Sequence, residues 1–177
     1  MAYVVESEFK HCGYKCVVVF SDLGHRCGYV GISKRNELYG KYYSDYLDIY
    51  KKDIEDKEIS GIVPLFIACI DPDERIIIDA YFSCHGGITY AGGGENSTYP
   101  INSDLWWFGF DCGHYNDGKD LELALEIFPE KKDLILNRIE IEKRIGATEG
   151  ILREKEYVEE ECRKLAEQLK EFESEEQ

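Results

Sequence analysis

Histidine and cysteine lie close together wherever the chain has a histidine. Each of the four histidines is next to a cysteine or one residue away from one, in His11-Cys12, His25-Arg26-Cys27, Cys84-His85 and Cys112-Gly113-His114. Imidazole and thiolate are donors that zinc takes in proteins. None of the pairs has the two-residue separation of a zinc knuckle, so we predict no metal or other cofactor. If zinc is bound, the expected ligands are His25, Cys27, Cys112 and His114.

The same residue types could support covalent catalysis, because an imidazole can hold a nearby thiol as the nucleophilic thiolate. Side chains of sequence neighbours diverge on a strand, so a pairing across segments, such as Cys27 with His85, is geometrically easier. Against this, cysteine is among the most buried residue types and is usually inert. The sequence leaves open whether the protein is an enzyme, with binding favoured over catalysis. The catalytic candidates are His25, Cys27, His85, Asp111 and His114.

A glycine-rich segment, residues 83–94, has the composition of a ligand-binding loop. Glycine lets the backbone approach a ligand and offer its amide groups. The segment is not a Walker loop, because no Gly-Lys-Ser/Thr follows. It is not a dinucleotide fingerprint either, because no helix opens after it.

Aromatic residues and one cation extend this binding hypothesis. One of the adjacent Trp106 and Trp107 must face away from the core if both lie on a strand, and it could stack on a nucleobase. Arg26 is suited to phosphate or carboxylate. The alternative is a loop-covered core with one exposed tryptophan. The predicted ligand-binding residues are Arg26, Tyr29, His85, Gly86, Gly87, Thr89, Tyr90, Trp106 and Trp107.

The chain is strongly acidic, with 36 acidic and 21 basic residues and a formal net charge of −15. This charge disfavours direct nucleic-acid binding, which needs cations to neutralise phosphates. It permits an acidic surface that competes for a basic protein groove, or it only keeps the protein soluble. The first ten residues carry charges, so they do not resemble a signal segment, and no apolar run reaches the ~18 residues of a membrane span. We therefore expect a cytosolic protein without a membrane span. Its seven cysteines are irregularly spaced and are expected to be reduced thiols.

Hydrophobic patterning predicts strands first and helices last, which is an α+β plan. Expected strands are 15–20 and 27–32 as a hairpin, then 62–70, 75–82 and 105–110; expected helices are 120–127, 131–145 and 151–172. The prediction is an antiparallel or mixed β-sheet core in the N-terminal two-thirds, with C-terminal helices packed on it. Residues 1–118 would form the β-rich core that carries the site. Residues 119–177 would form a helical region of the same domain or a dimerisation appendage.

The 151–172 helix carries an apolar seam of Val158, Cys162, Leu165, Leu169 and Phe172. Its spacing of 4, 3, 4, 3 is that of a heptad repeat. The seam could pack on the sheet or pair with a second copy, and we predict a homo-oligomer through this helix.

Three blocks resemble the signature of a known family. They are Gly24-His25-Arg26-Cys27-Gly28-Tyr29-Val30-Gly31, His85-Gly86-Gly87-Ile88-Thr89-Tyr90-Ala91-Gly92 and Trp106-Trp107-Phe108-Gly109-Phe110-Asp111-Cys112-Gly113-His114. They are similar to blocks of small, mostly uncharacterised proteins of tailed bacteriophages and prophages, and residues 157–169 are similar to that family's closing helix. The resemblance covers most of residues 11–172. It implies a phage accessory protein in the bacterial cytosol, by association one that counters host defence, and it supplies no catalytic residues.

Three functions follow as hypotheses. The first is a protein that binds and sequesters a small polar ligand, such as a nucleotide-derived immune signal. The second is a Cys/His enzyme, with or without zinc, that degrades such a ligand. The third is an acidic inhibitor of a basic groove on a host nucleic-acid-handling protein, for example a defence protein. The first two require residues 25–29, 85–90 and 106–114 to surround one concavity.

Overall fold

A computed structural model describes residues 1–53, 71, 73–145 and 150–175. The strands are β1 (Tyr3–His11), β2 (Tyr14–Ser21), β3 (Arg26–Ile32), β4 (Tyr46–Tyr50), β5 (Arg75–Ile77), β6 (Tyr90–Gly93) and β7 (Trp106–Asp111). The helices are α1 (Ile78–Tyr81), α2 (Leu121–Ile127), α3 (Lys132–Ile145) and α4 (Lys155–Glu175), with 3-10 turns at Lys51–Asp53 and Pro129–Lys131. This arrangement confirms the predicted α+β class.

The central sheet has five antiparallel strands in the order β1-β2-β3-β7-β6, and β4 pairs with β5 in a separate two-stranded sheet. The predicted hairpin of β2 and β3 is confirmed, with Val18 opposite Gly28 in the register. Valine-rich segments form these central strands because β-branched side chains suit a pleated surface that is covered on both faces. β1 lies at the edge of the sheet and was not predicted, because its charged residues give only a weak strand pattern.

Helix α4 covers one face of the central sheet. Its seam residues Val158, Cys162, Leu165 and Leu169 are fully buried in the same core as residues of β2, β3 and β7. A side chain on Gly28 would overlap the Phe110 ring and the Cys162 sulfur, so glycine is needed where the helix comes close to the sheet. The seam therefore packs within the chain and is not available to pair with a second copy. Self-association of the chain stays a prediction.

The opposite face of the sheet is covered by the chain between β6 and β7. Tyr29 and Trp107 are buried there with Cys27, and Tyr99 and Leu105 pack against them. The alternation of side chains along a strand explains this division, because neighbours such as Trp106 and Trp107 must point to opposite faces.

The predicted strand 75–82 is correct only in its first three residues. After Ile77 the chain turns into the short helix α1, because the N–H groups of Ile78 and Asp79 donate to the carbonyls of Asp45 and Tyr43. A run of isoleucines does not distinguish these two conformations. The predicted strand 62–70 lies outside the described residues.

The predicted helices of the C-terminal region are present. Asp120 caps α2 through its carboxylate, which accepts a hydrogen bond from the Leu123 N–H at 2.9 Å. Pro129 ends the helical pattern and begins a 3-10 turn before α3. No helix among the described residues combines the length and the apolar composition needed to cross a membrane.

Candidate functional site

Two of the predicted histidines meet a carboxylate at the end of β7. His85 lies in the loop that follows α1, His114 lies in the turn that follows β7, and Asp117 closes that turn. The rings of His85 and His114 have their centroids 5.6 Å apart. His85, His114 and Asp117 each offer one ligand atom, and these three atoms lie within 4.8 Å of one another. We call these three residues the His-His-Asp cluster.

Asp117 is the buried centre of the cluster, with a side chain that is 2% exposed. Its Oδ2 accepts hydrogen bonds from His85 Nε2 at 2.8 Å and from the His114 backbone N–H at 3.0 Å. Its Oδ1 accepts from Arg153 Nε at 2.9 Å. Burial alone would raise the pKa of Asp117, but the hydrogen bonds from Arg153 and His85 outweigh burial and lower it below its ordinary value. Asp117 is therefore an ionised carboxylate with fixed partners.

His85 is held on both sides of its ring. While Nε2 faces Asp117, Nδ1 lies 3.0 Å from the hydroxyl of Tyr157 on the first turn of α4. A phenol can either donate or accept, so it can accommodate both neutral tautomers of His85. The orientation of the imidazole is thus fixed from outside the cluster.

His114 is the member of the cluster with a free ring atom. Its Nδ1 is buried and has no hydrogen-bond partner among the described residues. This atom lies 3.8 Å from Asp117 Oδ2 and 4.0 Å from Asp111 Oδ1. Its ring packs on Gly86, where φ is +69° and any side chain would overlap the imidazole. A buried nitrogen without a partner is rare and requires an explanation, such as a bound water or ion.

The spacing of the His-His-Asp cluster fits a metal ion. Tetrahedral zinc with N and O ligands at 2.0–2.2 Å places those ligands about 3.3–3.5 Å apart. The separations of 2.8 Å and 3.8 Å from Asp117 Oδ2 to His85 Nε2 and to His114 Nδ1 bracket this value. Two imidazoles and one carboxylate in this arrangement are therefore a donor set that a divalent ion such as Zn²⁺ accepts.

The four residues expected to bind zinc if a metal is present, His25, Cys27, Cys112 and His114, are not brought together in one group. Cys27 and Cys112 are buried in different cores on the two faces of the sheet. Burial raises the pKa of the Cys27 thiol to about 12 and raises the pKa of the Cys112 thiol well above its ordinary range. Both side chains are neutral thiols near neutral pH, so Cys27 does not supply the thiolate that the catalytic hypothesis needs. His25 does not belong to the compact cluster either.

His25 and Asp111 border the cluster. The His25 ring packs against Gly113, the residue before His114, and its Nδ1 is buried without a hydrogen-bond partner in the described chain. Burial lowers the pKa of His25, and this effect exceeds the opposing attraction of Asp111. Asp111 accepts hydrogen bonds from the Thr89 hydroxyl and the Gly113 N–H, both at 3.0 Å. The histidines of the three predicted segments are therefore brought to one end of β7.

Arg26 was predicted to hold an anionic ligand, but in the structure its guanidinium pairs with a carboxylate of the same chain. Its side chain is 8% exposed and donates from Nε and Nη2 to the two carboxylate oxygens of Glu6, at 2.7 and 3.0 Å. Its Nη1 donates to the carbonyl oxygen of Arg153 at 3.2 Å. Glu6 lies on the edge strand that was not predicted, so the sequence analysis could not anticipate this pairing.

The predicted aromatic contacts do not form at the cluster. Trp107 is fully buried, and Tyr29 is buried with its hydroxyl bonded to that of Tyr99. Tyr90 packs edge-on against Tyr29 and Tyr99. Trp106 lies at the opposite end of β7 from His114 and donates from Nε1 to the carbonyl of Lys41. These four side chains belong to the core and its border.

The predicted backbone donors of the glycine-rich loop are also engaged within the chain. The N–H of Gly87 donates to the carbonyl of Cys84, and the N–H of Thr89 donates to the carbonyl of Gly109. Gly86 and Gly87 have φ of +69° and +90°, values that favour glycine. These glycines therefore shape the turn that carries His85.

Asp117, Arg153 and Tyr157 were not identified as site residues from the sequence. The His114-Tyr115-Asn116-Asp117 spacing was the available signal for the carboxylate, because a turn can bring residues i and i+3 together. Arg153 and Tyr157 gave no comparable signal, since each reaches its partner across more than thirty residues.

Comparison of the chain with protein-family models, with curated proteins and with solved structures finds no match. A function for the cluster must therefore be argued from its own geometry.

Proposed function

We propose that the protein is a metal-dependent hydrolase whose divalent ion is bound by His85 Nε2, His114 Nδ1 and Asp117 Oδ2. The carrying observation is the buried Nδ1 of His114, which has no hydrogen-bond partner among the described residues and lies 3.8 Å from the Asp117 oxygen that already contacts His85. Three protein ligands of this kind with an open position are the composition of catalytic zinc sites.

The residues around the cluster support this assignment. A metal-binding histidine commonly uses its second nitrogen for a hydrogen bond that fixes the ring, and a ligating carboxylate is commonly hydrogen-bonded at its other oxygen. Tyr157 occupies Nδ1 of His85, and Arg153 occupies Oδ1 of Asp117. Loss of the Nε2 proton on metal binding leaves His85 with an Nδ1–H that the Tyr157 oxygen can accept.

The charge of the metal-loaded cluster would favour an anionic ligand. Two neutral imidazoles and one carboxylate around a divalent ion leave a local charge of about +1. This charge can hold a phosphate group although the whole chain carries −15. Arg26 is not required for this role, since the ion replaces it as the local cation.

Asp111 is the residue suited to act as a general base. Its side chain is 35% exposed, and its Oδ1 lies 4.0 Å from the proposed ligand atom of His114. An ion held by the cluster would supply an activated water molecule, and Asp111 is placed to take a proton from that water as its oxygen forms a bond to phosphorus. The phosphorus–oxygen bond to the leaving group breaks, and that oxygen leaves with the electron pair and takes up a proton.

The biological role proposed with this chemistry is that of a phage accessory protein that removes a small nucleotide-type signal in the host cytosol. It rests on the resemblance of the three sequence blocks and on the anion preference of the proposed site. Sequestration of the same ligand would use the same residues without the bond cleavage. The acidic-inhibitor hypothesis uses none of them.

The test has two parts. Zinc content and isothermal titration should show that His114→Asn loses one equivalent of bound metal, while His25→Asn, the matched change outside the cluster, keeps it. The metal-loaded protein is then incubated with cyclic and linear nucleotide signals, and mass spectrometry follows both depletion and products. A new product supports hydrolysis. If the ligand is released intact on denaturation, the protein sequesters it and does not hydrolyse it. If the His114→Asn and His25→Asn variants contain equal amounts of metal, the proposed metal centre is rejected.

A further inference from the structure

A second group of metal-ligating side chains lies where the β1–β2 turn meets helix α4. His11 Nε2 is 2.7 Å from Glu167 Oε1, and Cys12 is the next residue along the turn. One ligand atom from each of these three residues lies within 4.8 Å of the other two. The three come from two elements that are distant in sequence, so the fold itself brings them together.

We propose that His11 Nε2, Cys12 Sγ and Glu167 Oε1 form a second binding site for a thiolate-preferring divalent ion of the zinc class. The donor set combines an imidazole, a thiol and a carboxylate, which are three ligand types that zinc accepts. A sulfur donor further selects such an ion over Mg²⁺ or Ca²⁺, which prefer oxygen.

The surrounding surface provides room and a further donor. An open cavity of about 370 Å³ is lined by Cys12, Glu167, Lys170, Glu171 and Ser174. Glu171 lies four residues after Glu167 and so on the same face of the helix. Its carboxylate or a water molecule can complete a four-coordinate site.

The hairpin that carries His11 and Cys12 packs directly on α4. Tyr14, the residue that closes the β1–β2 turn, is buried and donates its hydroxyl to the carbonyl of Leu169 at 3.3 Å. The guanidinium of Arg163 lies 4.8 Å from the centre of the Phe9 ring. These contacts hold the hairpin against α4 on both sides of His11, which keeps His11 and Cys12 next to Glu167.

The second site is separate from the His-His-Asp cluster. Glu167 follows Tyr157 by ten residues, or about 15 Å along the helix axis. An ion at the second site would clamp the β1–β2 turn to the same helix whose first turn holds His85. The second site contains a sulfur ligand and the cluster does not, which makes the two distinguishable by spectroscopy and makes this inference independent of the proposed hydrolase.

The experiment is a titration of the full chain with Co²⁺, which reports thiolate ligation through a charge-transfer band in the near ultraviolet. The wild type should show the band. Cys12→Asn should lose it and keep its fold, because Cys12 and Gly13 have φ of +49° and +90°, and Asn-Gly is the preferred sequence for such a turn.

Glu167→Gln should weaken Co²⁺ binding at this site by at least about tenfold, as even the loss of outer-shell partners does. The matched control is Glu160→Gln, since Glu160 lies on the same helix with 56% exposure against 54% for Glu167. The control should bind as the wild type does. A wild type without the band, a Cys12→Asn variant that keeps it, or equal binding by both glutamate variants overturns the second site. His114→Asn should leave the band unchanged whether or not the cluster binds metal.

Discussion

The carboxylate of Asp117 lies 2.8 Å from Nε2 of His85, across 32 residues of chain. This contact joins the loop after α1 to the turn after β7. Tyr157 contacts the other ring nitrogen of His85, so both nitrogens of this imidazole face fixed partners.

Gly86→Ala should abolish metal binding at the His-His-Asp cluster, because the added methyl group would overlap the His114 ring. Gly40→Ala is the matched control, since Gly40 has φ of +83° but nothing within 4 Å of an added methyl group. Each variant should cost about 1–2 kcal/mol for a left-handed backbone, and Gly86→Ala should cost about 1–3 kcal/mol more for the overlap. Denaturant unfolding and zinc titration measure both effects. Equal results for the two variants would contradict the close packing of Gly86 on His114.

Tyr157→Phe should weaken metal binding at the cluster by roughly 10- to 100-fold, the usual effect of removing an outer-shell partner. The ring remains in place, so only the hydrogen bond to His85 Nδ1 is lost. Tyr115→Phe provides the control, because Tyr115 is 99% exposed. Titration of both variants with zinc is the measurement, and an unchanged affinity in Tyr157→Phe would show that the phenol does not support the ligand.

The stability of the protein should fall as the pH drops below about 6.5, partly because of His25. Burial lowers the pKa of His25 in the folded chain from 6.5, so the unfolded chain takes up this proton more readily. The contribution of His25 to the free energy of unfolding is therefore fully present above its pKa in the unfolded chain. It is lost as the pH falls through its lower pKa in the folded chain. Denaturant unfolding between about pH 7 and pH 5 should show a smaller loss for His25→Gln than for the wild type. If the wild type and His25→Gln lose stability equally over this pH range, the His25 side chain is not buried.

Leu165→Ala should lower the free energy of unfolding by about 2–5 kcal/mol, because it opens a cavity between α4 and the sheet. Leu165 is fully buried, whereas Leu134 on α3 is 65% exposed and serves as the matched control. Leu134→Ala should change stability by no more than about 0.5 kcal/mol. Size-exclusion chromatography should show the same elution for Leu165→Ala and the wild type, since the seam packs within the chain. A variant that changes only its oligomeric state would contradict this packing.

The sequence indicated the elements more completely than the contacts between them. The β2–β3 hairpin and α4 were predicted because their patterns are local: valine runs for one and a heptad seam for the other. The strand expected over 75–82 was correct only over Arg75–Ile77, because the turn into α1 depends on carbonyl groups of Tyr43 and Asp45. Sequence neighbours alone could not reveal those acceptors.

The site was predicted in the same uneven way. His85 and His114 were identified by residue type, because few side chains bind metals or transfer protons near neutral pH. Arg26 was assigned to a ligand because its partner Glu6 lies on an edge strand with a weak pattern. Asp117 was not predicted because its partners Arg153 and His85 are distant in sequence, so no local pattern indicates these hydrogen bonds.

Helix α4 supplies both the inner cover of the sheet and the tyrosine behind His85. Arg153, which holds Asp117, lies two residues before that helix. A nascent chain that has emerged only as far as β7 and the turn after it would contain His85, His114 and Asp117 but not the groups that orient them. The proposed metal binding should therefore arise late, when the C-terminal segment docks. A chain that ends after α3 would keep all three proposed metal ligands and lose Arg153 and Tyr157, which contact two of them.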